Sequence, residues 1–328
     1  MPTRPMFTRC LFLCLLFVWT AGAFPPDRAG AREADKFSTW VWNPWLLRNS
    51  SDDLLRFAAS NKVATLYLQI DADMDAADYA AFIRRASAQN IRVYALDGAP
   101  RWALDRSLTD AFLNWLSDYQ ASADADQRFA GIHIDTEPYL LPEWNRDRDA
   151  LLISWKSRIE ALLAGAKRLG LPAEADIPFW FDEHAMPGQA GTLSAWLIGR
   201  FDSVTIMAYR DSADRIADVA KNELAEAAKA GKTLRIGVET NPSSETPQVT
   251  FYEEGSSYLN AQLDALRGKL GANAAFGGFA VHDYEGWKKL QEKEAASAAR
   301  IAQQKKKSLK AAAGKSSEAA APAASRKK

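Results

Sequence analysis

Cysteine is almost missing. Cys10 and Cys14 are the two in 328 residues, and both fall in the apolar run Cys10 to Trp19. Arg4 and Arg9 precede that run and Ala21-Gly22-Ala23 follows it. A charged start, a short apolar stretch and a small-residue cleavage site read as an export signal over residues 1–23. The apolar run is short for a bilayer span, and Leu11-Phe12-Leu13 lacks the small residues expected before a lipidated Cys14. The chain left after cleavage has no cysteine, which excludes disulfides, thiolate-held metals and a Cys nucleophile. A periplasmic or secreted location follows, with no stable membrane insertion once the signal is cut. Histidine is scarce too, with three residues and no His-x-His or His-x-x-x-His pair. No Gly-rich phosphate loop follows the first predicted strand, which argues against a nucleotide fold, and no cofactor is expected.

The formal net charge of zero hides an asymmetry. From Lys288 onward twelve Lys/Arg face three Asp/Glu, a surplus of +9 that leaves the first 287 residues at −9. Residues 292–328 form a low-complexity Ala/Lys-rich tail, expected to begin as helix and fray into disorder. It reads as a solubilising extension, with no nucleic-acid partner, and the protein is expected to be a monomer. Hydrophobic residues at 48% and eleven Trp supply a sizeable core between these ends.

Residues 24–36 read as a linker, and from Phe37 apolar runs alternate with amphipathic stretches. The predicted strands are 37–42, 63–70, 91–96, the motif strand around 131–137, 175–181, 203–208, 234–238 and 277–281. The helices between them include 109–121, 147–169 and 214–230, with N-cap residues at their starts and Gly or Pro at several ends. Eight strand–helix units over 37–291 match a single (β/α)8 TIM barrel, a one-domain α/β fold.

The densest chemistry lies in Phe129-Ala-Gly-Ile-His-Ile-Asp-Thr-Glu-Pro-Tyr139. With a period of two, Ile132 and Ile134 face one way while His133, Asp135 and Glu137 face the other. Pro138 has no N–H for the ladder, so Glu137 sits at the C-terminal lip, where parallel α/β folds bind ligands. A solvated acidic strand end is the plainer alternative. Other strand ends bring Asp71, Asp97, Asp182, Tyr209, Arg210, Glu239 and His282 to the same rim, near Trp42, Tyr139 and Trp180. Carboxylates beside flat aromatic faces suit a polysaccharide or oligosaccharide, whose CH faces stack on rings and whose cleavage uses paired carboxyl groups.

Gly131-Ile-His-Ile-Asp-Thr-Glu137 resembles the fourth-strand signature of glycoside hydrolase family 18, the chitinases and their relatives, which runs Asp-x-x-Asp-x-Asp-x-Glu. Asp135 and Glu137 match its last two acidic positions, while Ala130 and His133 replace the first two. Val204-Thr-Ile-Met-Ala-Tyr209 is similar to the family's Met-x-Tyr-Asp, with Arg210 in place of the Asp. Gly277-Gly-Phe-Ala-Val-His282 looks like its eighth strand, with His282 where a Trp usually lies. The resemblance implies substrate-assisted retention: Glu137 protonates the glycosidic oxygen, the substrate's N-acetyl group attacks the anomeric carbon, and Asp135 and Tyr209 hold that group. Asp135 on the same face as Glu137 would raise the Glu137 pKa and keep its proton available. His133 beneath them is expected as a buried core histidine that could hydrogen-bond Asp135.

Three other readings stay open. Glu239, inward at the end of the seventh strand, would make a direct-displacement retaining glycosidase if it were the nucleophile. His133, His184 and His282 with nearby aspartates would give a metal-dependent hydrolase, each ligand coming from a different strand. Loss of the two acidic positions would fit a carbohydrate-binding barrel without catalysis.

Overall fold

The computed structural model describes residues 36–319. The expected signal 1–23, residues 24–35 of the linker and the end of the tail lie outside the described residues. Eight parallel strands pair in sequence order, and the eighth closes on the first. They are β1 (Phe37–Val41), β2 (Val63–Gln69), β3 (Arg92–Asp97), β4 (Gly131–Ile134), β5 (Ala173–Pro178), β6 (Ser203–Met207), β7 (Thr233–Glu239) and β8 (Phe276–His282). The principal helices alternate with them: α1 (Ser51–Ser60), α2 (Ala76–Ser87), α3 (Arg106–Ser122), α4 (Arg148–Leu169), α5 (Leu193–Arg200), α6 (Lys221–Ala230), α7 (Ser256–Leu270) and α8 (Tyr284–Ala319). The chain is therefore the expected (β/α)8 barrel.

Side-chain alternation sorts each strand between two cores. Leu66, Leu68, Ile132, Ile134, Ile177, Ile206, Ile236 and Val238 point outward into the buried layer beneath the helices. Trp40, Tyr67, Tyr94 and Leu96 point inward and fill the barrel. Local signals set the helix ends. Asp147 accepts the Ala150 N–H at 3.1 Å to start α4, and Gly170 at φ 68° ends it. Helix α3 starts earlier than predicted, because Asp105 caps it by accepting from the Ser107 N–H.

Two boundaries differ in ways that matter for the site. Strand β4 ends at Ile134, so Asp135, Thr136 and Glu137 belong to the lip beyond it. Strand β5 spans 173–178 rather than 175–181, and Phe179–Glu183 coils into a 3-10 turn. Pro178 cannot donate to a further ladder, which ends the strand there. The predicted helix over 214–230 is two, Ala213–Val219 and α6, separated at Ala220.

Helix α8 runs on to Ala319, through the stretch expected to fray. Ala, Lys, Gln and Glu are strong helix formers. Glu294 also ties α8 to the start of α7, accepting from the Ser256 hydroxyl at 2.6 Å and the Ser257 N–H at 2.8 Å. Beyond Glu294 the described side chains of α8 are exposed. No helix among the described residues is long and apolar enough to cross a membrane.

Candidate active site

The floor of the site is a charged layer inside the barrel. Glu174 on β5 accepts two hydrogen bonds from Arg235 Nη1 of β7, at 3.0 and 3.1 Å, and one from the Tyr67 hydroxyl at 3.2 Å. Arg235 outweighs burial and holds the Glu174 carboxyl down at about 2. His133 stacks on Tyr67 with ring centroids 3.6 Å apart. Its Nε2 lies 2.8 Å from Asp176 Oδ2, an ion-pair distance, although the ring N–H is not aimed along it. The Trp40 indole donates to the same oxygen at 2.8 Å. His133 is thus the buried core histidine expected of it, and its charge partners are Asp176 and Glu174.

One pleat above, Asp135 leaves β4 with its backbone N–H bonded to the Asp97 carbonyl at 3.1 Å. Gly98, at φ 141°, makes room for this approach: a Cβ there would lie 2.3 Å from the Asp135 carbonyl oxygen. Burial and then the Asp176 and Glu137 charges push the Asp135 carboxyl well above the usual carboxylate range. Glu137 stands before Pro138, which favours extended backbone, and Tyr139 turns back to donate its hydroxyl to Glu137 Oε1. Burial raises the Glu137 pKa and the Asp176 charge adds to it, against the Tyr139 hydrogen bond and His282. A carboxyl treated this way keeps a proton to donate near neutrality.

Glu239 is held differently. Its Oε1 accepts the backbone N–H groups of Thr240 and Asn241, both at 2.7 Å, and the Asn241 side-chain amide at 3.1 Å. Its Oε2 faces His282 Nδ1 at 2.8 Å, and the Trp42 indole donates to His282 Nε2 at 2.9 Å. Two demands compete at His282. Burial lowers its pKa, but Glu239 outweighs that and raises it to about 9. The Trp42 bond requires a bare Nε2, because a cationic ring would set donor against donor. The hydrogen-bond geometry decides for the neutral Nδ1–H ring in this arrangement.

A cleft of about 460 Å³ opens above these groups, lined by Glu137, Tyr139, Trp180, Tyr209, Arg210 and Glu239 among others. Six of the residues singled out by sequence therefore meet on one surface. Arg210 lies 4.7 Å over the Phe179 ring and donates to the Tyr209 carbonyl at 2.7 Å. Asp135, His282 and Trp42 sit beneath or beside that surface. Asp97 bonds Gln69 and the Gly98 N–H, and Asp71 bonds the Trp45 indole at 2.8 Å, so neither lines the cleft. Asp182 is not brought to it either: with β5 ending at Pro178, it falls in the 3-10 turn and accepts from Asn222 of α6 at 2.6 Å.

Sequence reasoning missed Asp176, which takes the inward place on β5, and the cleft wall formed by Phe179, Ser243, Ser244 and Glu245. The alternation of Glu174 and Asp176 with small apolar residues was the available signal for the first. The three histidines go to three places: His133 into the barrel, His282 to Glu239, and His184 to Arg148 beside Trp144 and Trp180. Among the described residues no three His, Cys, Asp or Glu side chains converge as metal ligands.

No protein-family model matches the chain, and no curated protein matches it. Solved structures do. The C-terminal domain of a putative chitinase from Desulfitobacterium hafniense DCB-2 aligns over 77% of this chain and 94% of its own, at 10% identity and a TM-score of 0.51. The GH18 chitinase ChiB from the chitin utilization locus of Flavobacterium johnsoniae aligns over 77% and 88%, at 12% identity and a TM-score of 0.50. Catalytic domain 2 of Ostrinia furnacalis Group II chitinase aligns over 62% of this chain at 12% identity and a TM-score of 0.40. The chain spans 64% of that insect domain's length. At such identities the likeness to these chitinase structures is one of fold alone, the (β/α)8 barrel.

Proposed function

We propose that this chain is an exported glycoside hydrolase acting on a polysaccharide that contains N-acetylhexosamine, with Glu137 as general acid and base. The observation that carries the reading is Glu137 itself: a carboxyl whose proton is favoured by burial, opening with Tyr209 into one cleft, a pleat above Asp135. The likeness of fold to two bacterial chitinase domains supports it.

In this mechanism Glu137 gives its proton to the glycosidic oxygen as the bond from that oxygen to the anomeric carbon breaks. The oxygen of the neighbouring acetamido group attacks the same carbon and forms a cyclic cationic intermediate. Asp135 and Tyr209 hold the acetamido group. Glu137, now ionised, takes a proton from the water that opens the ring, so configuration is retained and the acid is restored.

The test is turnover of purified protein on matched N-acetylated and non-acetylated glycans. Cleavage is expected only of the former, because only they carry the internal nucleophile. Glu137→Gln should lower kcat by about 10²–10⁴-fold while glycan affinity is kept. Equal rates on both glycans would remove the acetamido mechanism, and binding without any turnover in the wild type would leave a sugar-binding barrel. One observation favours a second route: Glu239 lines the same cleft, oriented by four hydrogen-bond contacts. A covalent glycosyl adduct found on Glu239 by mass spectrometry would select that route.

A further inference from the structure

We infer that Arg210 is a specificity-determining residue whose guanidinium, seated over the Phe179 ring in the cleft wall, takes the carboxylate of an acidic sugar. The polysaccharide cleaved here then pairs N-acetylhexosamine with a carboxylate-bearing sugar. The cleavage in this statement rests on the glycosidase reading, whereas the carboxylate site does not.

Met207 ends β6, and Tyr209 and Arg210 follow it into the wall of the cleft. Phe179 reaches the same wall because β5 stops at Pro178 and the chain coils into a 3-10 turn. The Arg210 guanidinium carbon lies 4.7 Å from the Phe179 ring centroid, and Nη1 donates to the Tyr209 carbonyl at 2.7 Å. Two contacts thus fix the group, one over its face and one at its edge. Neither neutralises it. Among the described residues no acidic side chain pairs with Arg210, which is only partly buried.

A guanidinium carries five N–H donors in a rigid fork and stays charged at any physiological pH. With Nη1 committed, Nε and Nη2 remain as a parallel pair that matches the two oxygens of a carboxylate. The acids that share the cleft are engaged elsewhere. Glu137 has its proton favoured by burial and is bonded by Tyr139. Glu239 is held by the Thr240 and Asn241 N–H groups and by His282. Glu245 is exposed at the rim, where water and salt screen it. The counter-charge that this wall lacks is therefore one that a substrate brings. Position 210 is an acid in the resembled signature, so the sign of the charge is reversed there, and a neutral polymer offers the new cation nothing to pair with.

Tyr209, which holds the acetamido group in the proposed mechanism, is the residue before Arg210. The carboxylate thus belongs to the sugar that carries the acetamido group or to the one joined to it. Two sources have this chemistry: a hexuronic acid, and a hexosamine bearing a lactyl ether. Burial, Tyr139, Asp176 and His282 set the Glu137 proton, and Arg210 has no part in it. A substitution at 210 therefore reports recognition of the acidic group and not a change in acid strength.

Calorimetric titration of the full chain carrying Glu137→Gln, in which glycan is not consumed, tests the inference. The probes are oligosaccharides of alternating N-acetylglucosamine and glucuronic acid, and of alternating N-acetylglucosamine and N-acetylmuramic acid, each beside its own methyl ester. Linkage and size are then matched within each pair. At least one free acid should bind about tenfold or more tightly than its ester, the size of one charge-assisted contact, and which one does so identifies the bearer of the carboxylate. Arg210→Gln in the same background should bring that ratio near one. Arg210→Lys, which keeps the charge and loses the fork, should fall between. A ratio near one in the parent, a preference that survives Arg210→Gln, or binding of neither acid would each overturn the inference. Turnover by the wild type is read separately. Cleavage of a chitin oligosaccharide with no preference for either acid removes the inference and keeps the glycosidase reading; a preference for an acid without cleavage of any glycan does the reverse. On an acidic glycan that is turned over, Arg210→Gln should raise KM more than it lowers kcat and leave the pH limb of Glu137 in place. A shifted limb would overturn the role in recognition.

Discussion

His133 is a titratable ring held where water cannot reach it. Burial works against its charge, but Asp176 and Glu174 outweigh burial and raise its pKa from 6.5 to about 9. A group whose pKa is raised on folding contributes stability that is fully present below the unfolded value and drains away as pH climbs through the folded one. The Tm of the wild type should therefore fall between pH 6.5 and pH 9, and His133→Asn should remove most of that slope even if its Tm is lower throughout. Thermal melts across this range decide the matter; equal slopes in the two proteins would mean that His133 is neutral. At this scale the sequence was informative about Glu137 and Tyr209, whose positions at strand ends follow from counting alone. It did not single out Asp176, although the predicted strand 175–181 contains it, because its partners Trp40 and His133 are remote in sequence and close only in the barrel.

Elements succeed or fail at their ends. The eight strands and their order were legible because apolar runs alternate with capped amphipathic helices. The end of β5 was not, since Ile177-Pro-Phe-Trp-Phe181 reads as one apolar run and hides the stop that Pro178 imposes. That displacement carried Asp182 to a rim it does not reach. The end of β3 makes the opposite point, because it controls a neighbour. Gly98→Ala should cost about 2 kcal/mol or more and lower kcat, since the new methyl would displace the Asp135 backbone. Gly188, at φ 69° with nothing within 4 Å of an added Cβ, is the control. Alanine there should cost about 1 kcal/mol of backbone strain and leave turnover intact. Equal loss of activity in both variants would show that Gly98 acts only through stability.

On the scale of the whole molecule, the barrel and the exposed part of α8 are separable. Trp287 and Leu290 are buried and Glu294 anchors α7, but the described side chains after it touch little. Removing residues 300–328 should leave Tm within about 2 °C of the full chain and leave glycan turnover unchanged, as calorimetry and the same assay would show. A larger drop would make the basic helix a buttress of the fold rather than an appendage.

The charged layer of Glu174, Arg235, Tyr67 and His133 has one more consequence. It stoppers the barrel along its axis, so the cleft has no passage through the interior of the strands. Whatever binds at the mouth must also leave from it.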